Sequence, residues 1–421
     1  MFPEIATQTR LERDAALVVG TATSTLTDTR DAVHDLKRQL EIQHDRPADF
    51  VALHHGSARP VAELWPHAVK AFGGNALHGA SSCLGIMTEK GVFNESGAAL
   101  GAFAIWDSKG AYGSAMVIID NDPWQAGAEA VRRALERADR SGESPDLVWL
   151  TATPGHEEAV LEGIKNVIGR SALIVGGSAA DNVVAGGWSV FSSEGVAGAA
   201  VVVSVLFPST PFGCEFESGY AHTQKRGIVT SVEGRRLLGI DGRPAAEVYA
   251  EWTGWRIAVP AMGARSILSE ATLSPIGRRH ADIAGIPIHL LAHPAVIHPD
   301  GGIDLFANVD VGEEICLMEG AEASLIERAG RIAANSREQL GGAPAAGALV
   351  VYCGGCMLAI RERMSEVVDS VNKHLQGAPF LGVFSFGEQG EMLDGNSMHG
   401  NLMISCTTFG RNGAPEPRVF P

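Results

Sequence analysis

Cys353 and Cys356 flank a Gly-Gly pair between an apolar run and a helical pattern. A thiol at such a strand-to-helix turn is where redox enzymes lower a cysteine pKa. The ordinary alternative is that one cysteine fills a strand end while the glycines make the turn, and no second CxxC completes a zinc site. His289 and His293, in IPIHLLAHP, share one face if the segment is a strand, as two metal-binding imidazoles would. Pro287 and Pro294 point to an edge position, so both are read as surface or half-buried histidines and no metal is assigned. His54-His55 at a strand end is equally unspecific.

Three glycine-and-hydroxyl segments sit where strands end: His78-Gly-Ala-Ser-Ser-Cys-Leu-Gly85, Gly176-Gly-Ser-Ala-Ala-Asp181, and Gly387-Glu-Gln-Gly390 leading to Ser397-Met-His-Gly-Asn401. Glycine lets backbone N–H groups approach a ligand, and Ser, Glu, Gln, His and Asn supply hydrogen bonds. Each segment alone also fits a plain turn. Together they nominate a ligand pocket made of Ser81, Ser82, Cys83, Gly85, Gly177, Ser178, Asp181, Gly387, Glu388, Gln389, His399 and Asn401. The chain has no GxxxxGK[ST], GxSxG, helix-opening GxGxxG or HExxH segment, which lowers the odds of common nucleotide and hydrolase chemistries.

These loops need elements to hold them. DTRDAVHDLKRQL predicts a helix capped by Asp28, with Ala32, Leu36 and Leu40 on one face. DFVALHH, ALGAFAIWD, YGSAMVIID, DLVWLTA, ALIVGG and VAGAAVVVSVLF predict strands, and HEEAVLEGIKNVIG a helix. Further on, GALVVYC predicts a strand, MLAIRERMSEVVDSVNKHL one helix with Leu358, Met364, Val368, Val371 and Leu375 on one face, and APFLGVFSFGEQG a strand. Strands come in consecutive groups rather than strict alternation with helices. The fold class is therefore α+β: two domains, each a mixed or largely antiparallel sheet covered by helices. The expected division is a lead-in over 1–28, one domain over 29–240, a second over 241–410, and an irregular tail over 411–421.

Composition narrows the classes. Among 421 residues, 49 are acidic and 33 basic, a net charge of −16, and no basic run offers phosphate contacts, so nucleic-acid binding is not expected. The longest apolar run, Val196 to Phe207, is far short of the roughly 20 residues that span a bilayer, and no membrane role is expected. The amino terminus has charges where a secretory signal needs an apolar stretch, which predicts a cytoplasmic protein with its six cysteines reduced. Glycine is the outlier, at 50 residues.

The order of motifs resembles a known family. ALHGASSCLGIMTEKGV, ALIVGGSAADN and GIVTSVEGRRLLGIDGRPAAEVYAEWTG resemble the FIST N-terminal domain. DGGIDLFANVDVGEE, GALVVYCGGC and PFLGVFSFGEQGEMLDGNSMHGNLMISC are similar to the FIST C-terminal domain. The resemblance covers about residues 30 to 410 and departs from the family pattern at Met398-His399-Gly400-Asn401, where Leu-His-Asn-Gln is usual, and at Gln389-Gly390-Glu391, which lacks a following proline. It implies a cytoplasmic sensor of a small ligand such as an amino acid or related metabolite. With no kinase, cyclase or transcription segment recognisable, the signal would pass to a separate signalling protein. One bacterial subgroup of the family binds haem and responds to nitric oxide, which makes His399 a candidate haem ligand. An enzyme using Cys83, Cys353 or Glu388 is the third possibility, although no spacing sets a base beside either cysteine.

Overall fold

The computed structural model describes residues 17–74 and 76–411. The tail expected over 411–421 lies almost wholly outside the described residues. The fold is α+β, two domains of mixed and antiparallel sheets covered by helices.

Three βαβ units set its geometry. In the first, the buried strand Phe50–Gly56 runs parallel to Ala76–Ser82, with helix Val61–Phe72 between them. In the second, Leu147–Ala152 and Ile174–Gly177 flank helix Glu157–Ile168. In the third, Ala345–Cys353 and Phe380–Ser385 are parallel, joined through helices Gly354–Ala359 and Met364–His374. These strands are buried on both faces, as parallel strands are, and Phe50–Gly56 and Ala76–Ser82 carry His54, His55, His78, Ser81 and Ser82 among their apolar residues. Each unit delivers the carboxyl end of a strand into a loop, the usual location of ligand sites in such sheets. Antiparallel pairs complete the sheets, such as Ala200–Phe207 between Ala111–Ile118 and Leu147–Ala152.

Strands from both sides of residue 240 share three of the four sheets. Phe212–Ser218 pairs with Met403–Gly410, Ile86–Thr88 with Phe380–Ser385, and Glu388–Glu391 with Ile174–Gly177. The long strand Tyr220–Glu233 pairs with both Arg236–Ile240 and Glu314–Gly320. The two sequence regions are thus stitched into one another by backbone hydrogen bonds rather than merely apposed.

Local expectations fare unevenly. Helix Thr29–Gln43 is capped by Asp28, whose carboxylate accepts from Asp31 N at 2.9 Å, and it buries Ala32, Leu36 and Leu40. Within the segment before it, Val18–Ser24 is a strand paired along its length with Leu100–Trp106. The single helix expected from Met357 to Leu375 is broken. Ile360 leaves the helical region at φ −123°, ψ 27°, and a 3₁₀ turn over Arg361–Arg363 re-aims the chain. Met364, Val368 and Val371 keep the buried face, while Leu358 turns outward, 45% exposed. His54 and His55 are fully buried in the first parallel strand, not at a surface.

Candidate functional site

A cavity of about 310 Å³ opens beside the third βαβ unit. Cys353, the last residue of its first strand, forms part of the wall with Leu358, while His293 and Phe306 directly follow the strands Ile286–Ala292 and Ile303–Leu305 of the second region. Val184 reaches in from the loop after Ile174–Gly177, so both sequence regions contribute. Gly355 permits the close approach of helix and sheet: a Cβ there would stand 3.1 Å from Leu402 Cδ2 and 3.3 Å from His293 Cε1. No Asp, Glu, Lys or Arg lines the cavity.

Two polar groups of the lining are fixed from behind. Asn401 Oδ1 accepts from His293 N at 3.1 Å, which orients the amide, and its buried Nδ2 has no partner. His293 Nε2 donates to Leu268 O at 2.9 Å, and burial lowers the imidazole pKa to about 4, so the ring is neutral at pH 7. One layer deeper lies Glu388, with no exposed surface, accepting from Ser385 Oγ at 2.6 Å and from Met403 N at 2.9 Å. Burial, then the Cys353 thiol, pushes its pKa well above the usual carboxylate range. Burial and Cys356 likewise push the Cys353 thiol up.

A second polar cluster closes the seam between the second βαβ unit and the later sheet. Arg235, from the hairpin tip after Tyr220–Glu233, donates to Glu157 Oε2 at 2.7 Å and to Glu158 Oε2 at 2.5 Å. Ser178 Oγ and Gly155 N donate to Glu157, and Asn308 N to Glu158. Burial raises the Glu157 pKa, but the His399 imidazole, the Arg235 guanidinium and the hydrogen bonds outweigh it and hold the carboxyl at about 2. Glu157, Glu158 and His399 offer ligand atoms within 4.8 Å of one another, a spacing that suits a cation. However, all four carboxylate oxygens already have donors, and Arg235 supplies the positive charge.

His399 sits in this cluster, 1% exposed. Its Nδ1 lies 3.0 Å from the Gln389 side-chain amide and its Nε2 3.4 Å from Phe306 O. A haem ligand needs a free ring nitrogen facing an apolar slot wide enough for a porphyrin. Here both nitrogens are engaged among carboxylates and a guanidinium, and the residues do not fit haem.

Family models match the FIST N domain over residues 49–243 and the FIST C domain over residues 245–391. The chain belongs to the FIST family. FIST domains are sensory domains that bind small ligands in signal transduction. No curated protein matches. Among solved structures, a cyanuric acid hydrolase from A. caulinodans aligns over 94% of this chain and 99% of its own, at 9% identity and TM-score 0.37. PurLQS from Thermotoga maritima aligns over 73% and 74%, at 11% identity and TM-score 0.22. Both scores are too low to bear on this FIST chain's fold or activity.

Of the twelve residues nominated from sequence, Asn401 alone lines the cavity. Gly387, Glu388, Gln389 and His399 form the layer behind it; a Cβ on Gly387 would lie 2.4 Å from His399 Cε1 and 3.3 Å from Asn401 Nδ2. Gly177 pairs in register with Glu388, and Ser178 N donates to Gly387 O, so both belong to the seam. Asp181 accepts from the N–H groups of Val183, Val184, Ala185 and Gly187 and thereby shapes the loop that carries Val184. Ser81, Ser82, Cys83 and Gly85 are buried away from the cavity or beside it as fold elements. Ser82 Oγ accepts from Phe384 N at 2.8 Å and donates to Gly85 O at 2.5 Å, tying the first unit to the third. Burial raises the Cys83 thiol to about 12.

His293, Phe306 and Leu358 were not nominated. His293 was paired with His289 on one strand face, whereas the strand Ile286–Ala292 ends before His293, which is 3% exposed and turned into the cavity wall. Leu358 was assigned to a helix face that the break at Ile360 removes.

Proposed function

We propose that this FIST chain senses a small, uncharged, largely apolar molecule that presents a hydrogen-bond acceptor, and that it passes the signal to a separate protein. The observation that carries this is the cavity with no charged lining and one unsatisfied donor, Asn401 Nδ2, held in place by His293 N. A buried donor without a partner costs about 1–3 kcal/mol, and a ligand carbonyl that reaches Nδ2 through a small shift of the wall relieves that cost. A zwitterionic amino acid would bury two charges without counter-ions, which is far less favourable. The cavity lies at the small end of ligand pockets, suited to a molecule well below drug size. An activated-cysteine enzyme draws no support from thiols whose pKa values are raised, since the thiolate is the nucleophile.

Thermal melting with a panel of short-chain amides, lactones and ketones beside free amino acids tests this. Ligand at 100 times its Kd stabilises the native state by about 2.7 kcal/mol. The expected result is a rise with one or more neutral carbonyl compounds that Asn401→Leu abolishes. Flat melting across the panel, or a rise confined to amino acids, would refute the proposal.

A further inference from the structure

A second pocket, about 350 Å³, shares no lining residue with the cavity above. Its walls include His222, His289, Met318, Met392 and Met403. His222 stands directly opposite Met318 in the antiparallel pair of Tyr220–Glu233 with Glu314–Gly320, so their side chains share a face. Cys316, two residues before Met318, points the same way, and its thiol contacts Met318 Sδ at 3.6 Å. The His222 and His289 rings lie 5.3 Å apart, centre to centre, at an interplanar angle of 34°. Neither ring hydrogen-bonds to another described residue.

This separation is compatible with a shared metal ion. An ion about 2.0–2.1 Å from one nitrogen of each imidazole lies about 3.2 Å from each ring centre, and two such rings at the tetrahedral angle stand about 5.2 Å apart. The remaining soft donors in the lining are the thioether sulfurs of Met318, Met392 and Met403. The carboxylate at the pocket, Glu217, is paired with Arg328 and is not a free hard ligand. Soft sulfur with imidazole selects monovalent copper over zinc or magnesium. His222 is exposed and His289 half-buried, which gives an ion a path in.

We propose that His222, His289 and Met318 form a binding site for Cu(I). This site stands independently of the sensory cavity. Anaerobic titration of the purified full chain with Cu(I), against a chromogenic Cu(I) chelator, tests it. The expected result is one retained equivalent, with His222→Ala and His289→Ala each weakening binding at least about tenfold, since even outer-shell changes cost 10–100-fold. Met318→Leu should weaken Cu(I) binding and leave Zn(II) binding unchanged. Because His222 is exposed, its variant should melt as the parent does. No copper retained against the chelator would overturn the proposal. So would unchanged affinity in both histidine variants, or binding that is lost instead in Cys353→Ser/Cys356→Ser.

Discussion

Replacing Arg235 by Ala removes the counter-charge from Glu157, whose side chain is 1% exposed, and from Glu158. Breaking a buried pair from one side costs about 3–5 kcal/mol, because the orphaned charge stays buried. The Glu157 pKa gives an independent scale. A shift from 4.5 to about 2 corresponds to roughly 3 kcal/mol at 1.36 kcal/mol per unit. Arg235 shares that figure with His399, so about 2–4 kcal/mol is expected. For a chain of 421 residues the unfolding entropy is about 0.9 kcal/mol/K, and the melting temperature should fall by about 2–5 °C. The pH dependence carries a sign. The folded pKa of Glu157 is depressed, so its contribution is fully present above the unfolded value of 4.5 and is lost as pH falls toward about 2. The gap between parent and Arg235→Ala should therefore be widest near neutral pH and close in acid. Calorimetry from pH 7 down to about 3 measures both. A variant that melts with the parent at pH 7, or a gap that widens in acid, would refute this role of Arg235.

His54, His55 and His293 are held neutral by burial, with pKa values of about 3, 4 and 4. Burial holds His78 neutral as well, and the unfolded chain binds all four protons below about pH 6.5, so these rings should lower stability between pH 6.5 and 4 by about 5 kcal/mol per pH unit; a slope below one proton would contradict their burial. Gly387→Ala drives a methyl against His399 and should cost about 1–3 kcal/mol, read by denaturant melting, with equal stability refuting the close approach. Cys353 should resist alkylation at neutral pH until the chain is unfolded, because burial raises its pKa; rapid stoichiometric labelling of the folded protein would revive a nucleophilic role.

What the sequence revealed and what it hid divide along range of interaction. Apolar runs and capping residues determine the βαβ units locally, so the helix after Asp28 and the strands leading to Gly177 and Cys353 are legible. Asn401 and Gly387 stood out because backbone crowding at a strand end demands small or hydrogen-bonding residues. Arg235 carried no local mark: beside Glu233-Gly234 it looks like any hairpin-tip charge, and only the fold brings it to Glu157, 78 positions away. His289 and His293 show the opposite error. Their spacing was correct for one strand, but the strand ends at Ala292, and one ring goes to His222 while the other enters the cavity wall. The break at Ile360 was invisible for a similar reason, since a face of apolar residues continues through it in sequence while the backbone turns.

The stitching of the sheets bears on how occupancy of the cavity would be read. Asn401 follows the strand Ser397–Gly400, which pairs with Glu388–Glu391, and that strand pairs with Ile174–Gly177 of the first region. Gly387 touches both Asn401 and His399, and His399 lies among Glu157, Glu158 and Gln389. A ligand that engages Asn401 Nδ2 therefore acts on the same short loop that the charged seam grips. Packed elements shift between discrete arrangements rather than deforming smoothly, so a differential affinity of the ligand for two positions of this loop would be felt at the seam. On this account Gly387 is central because it leaves room for His399 and Asn401 at once, and a side chain there would separate the cavity from the element it must move.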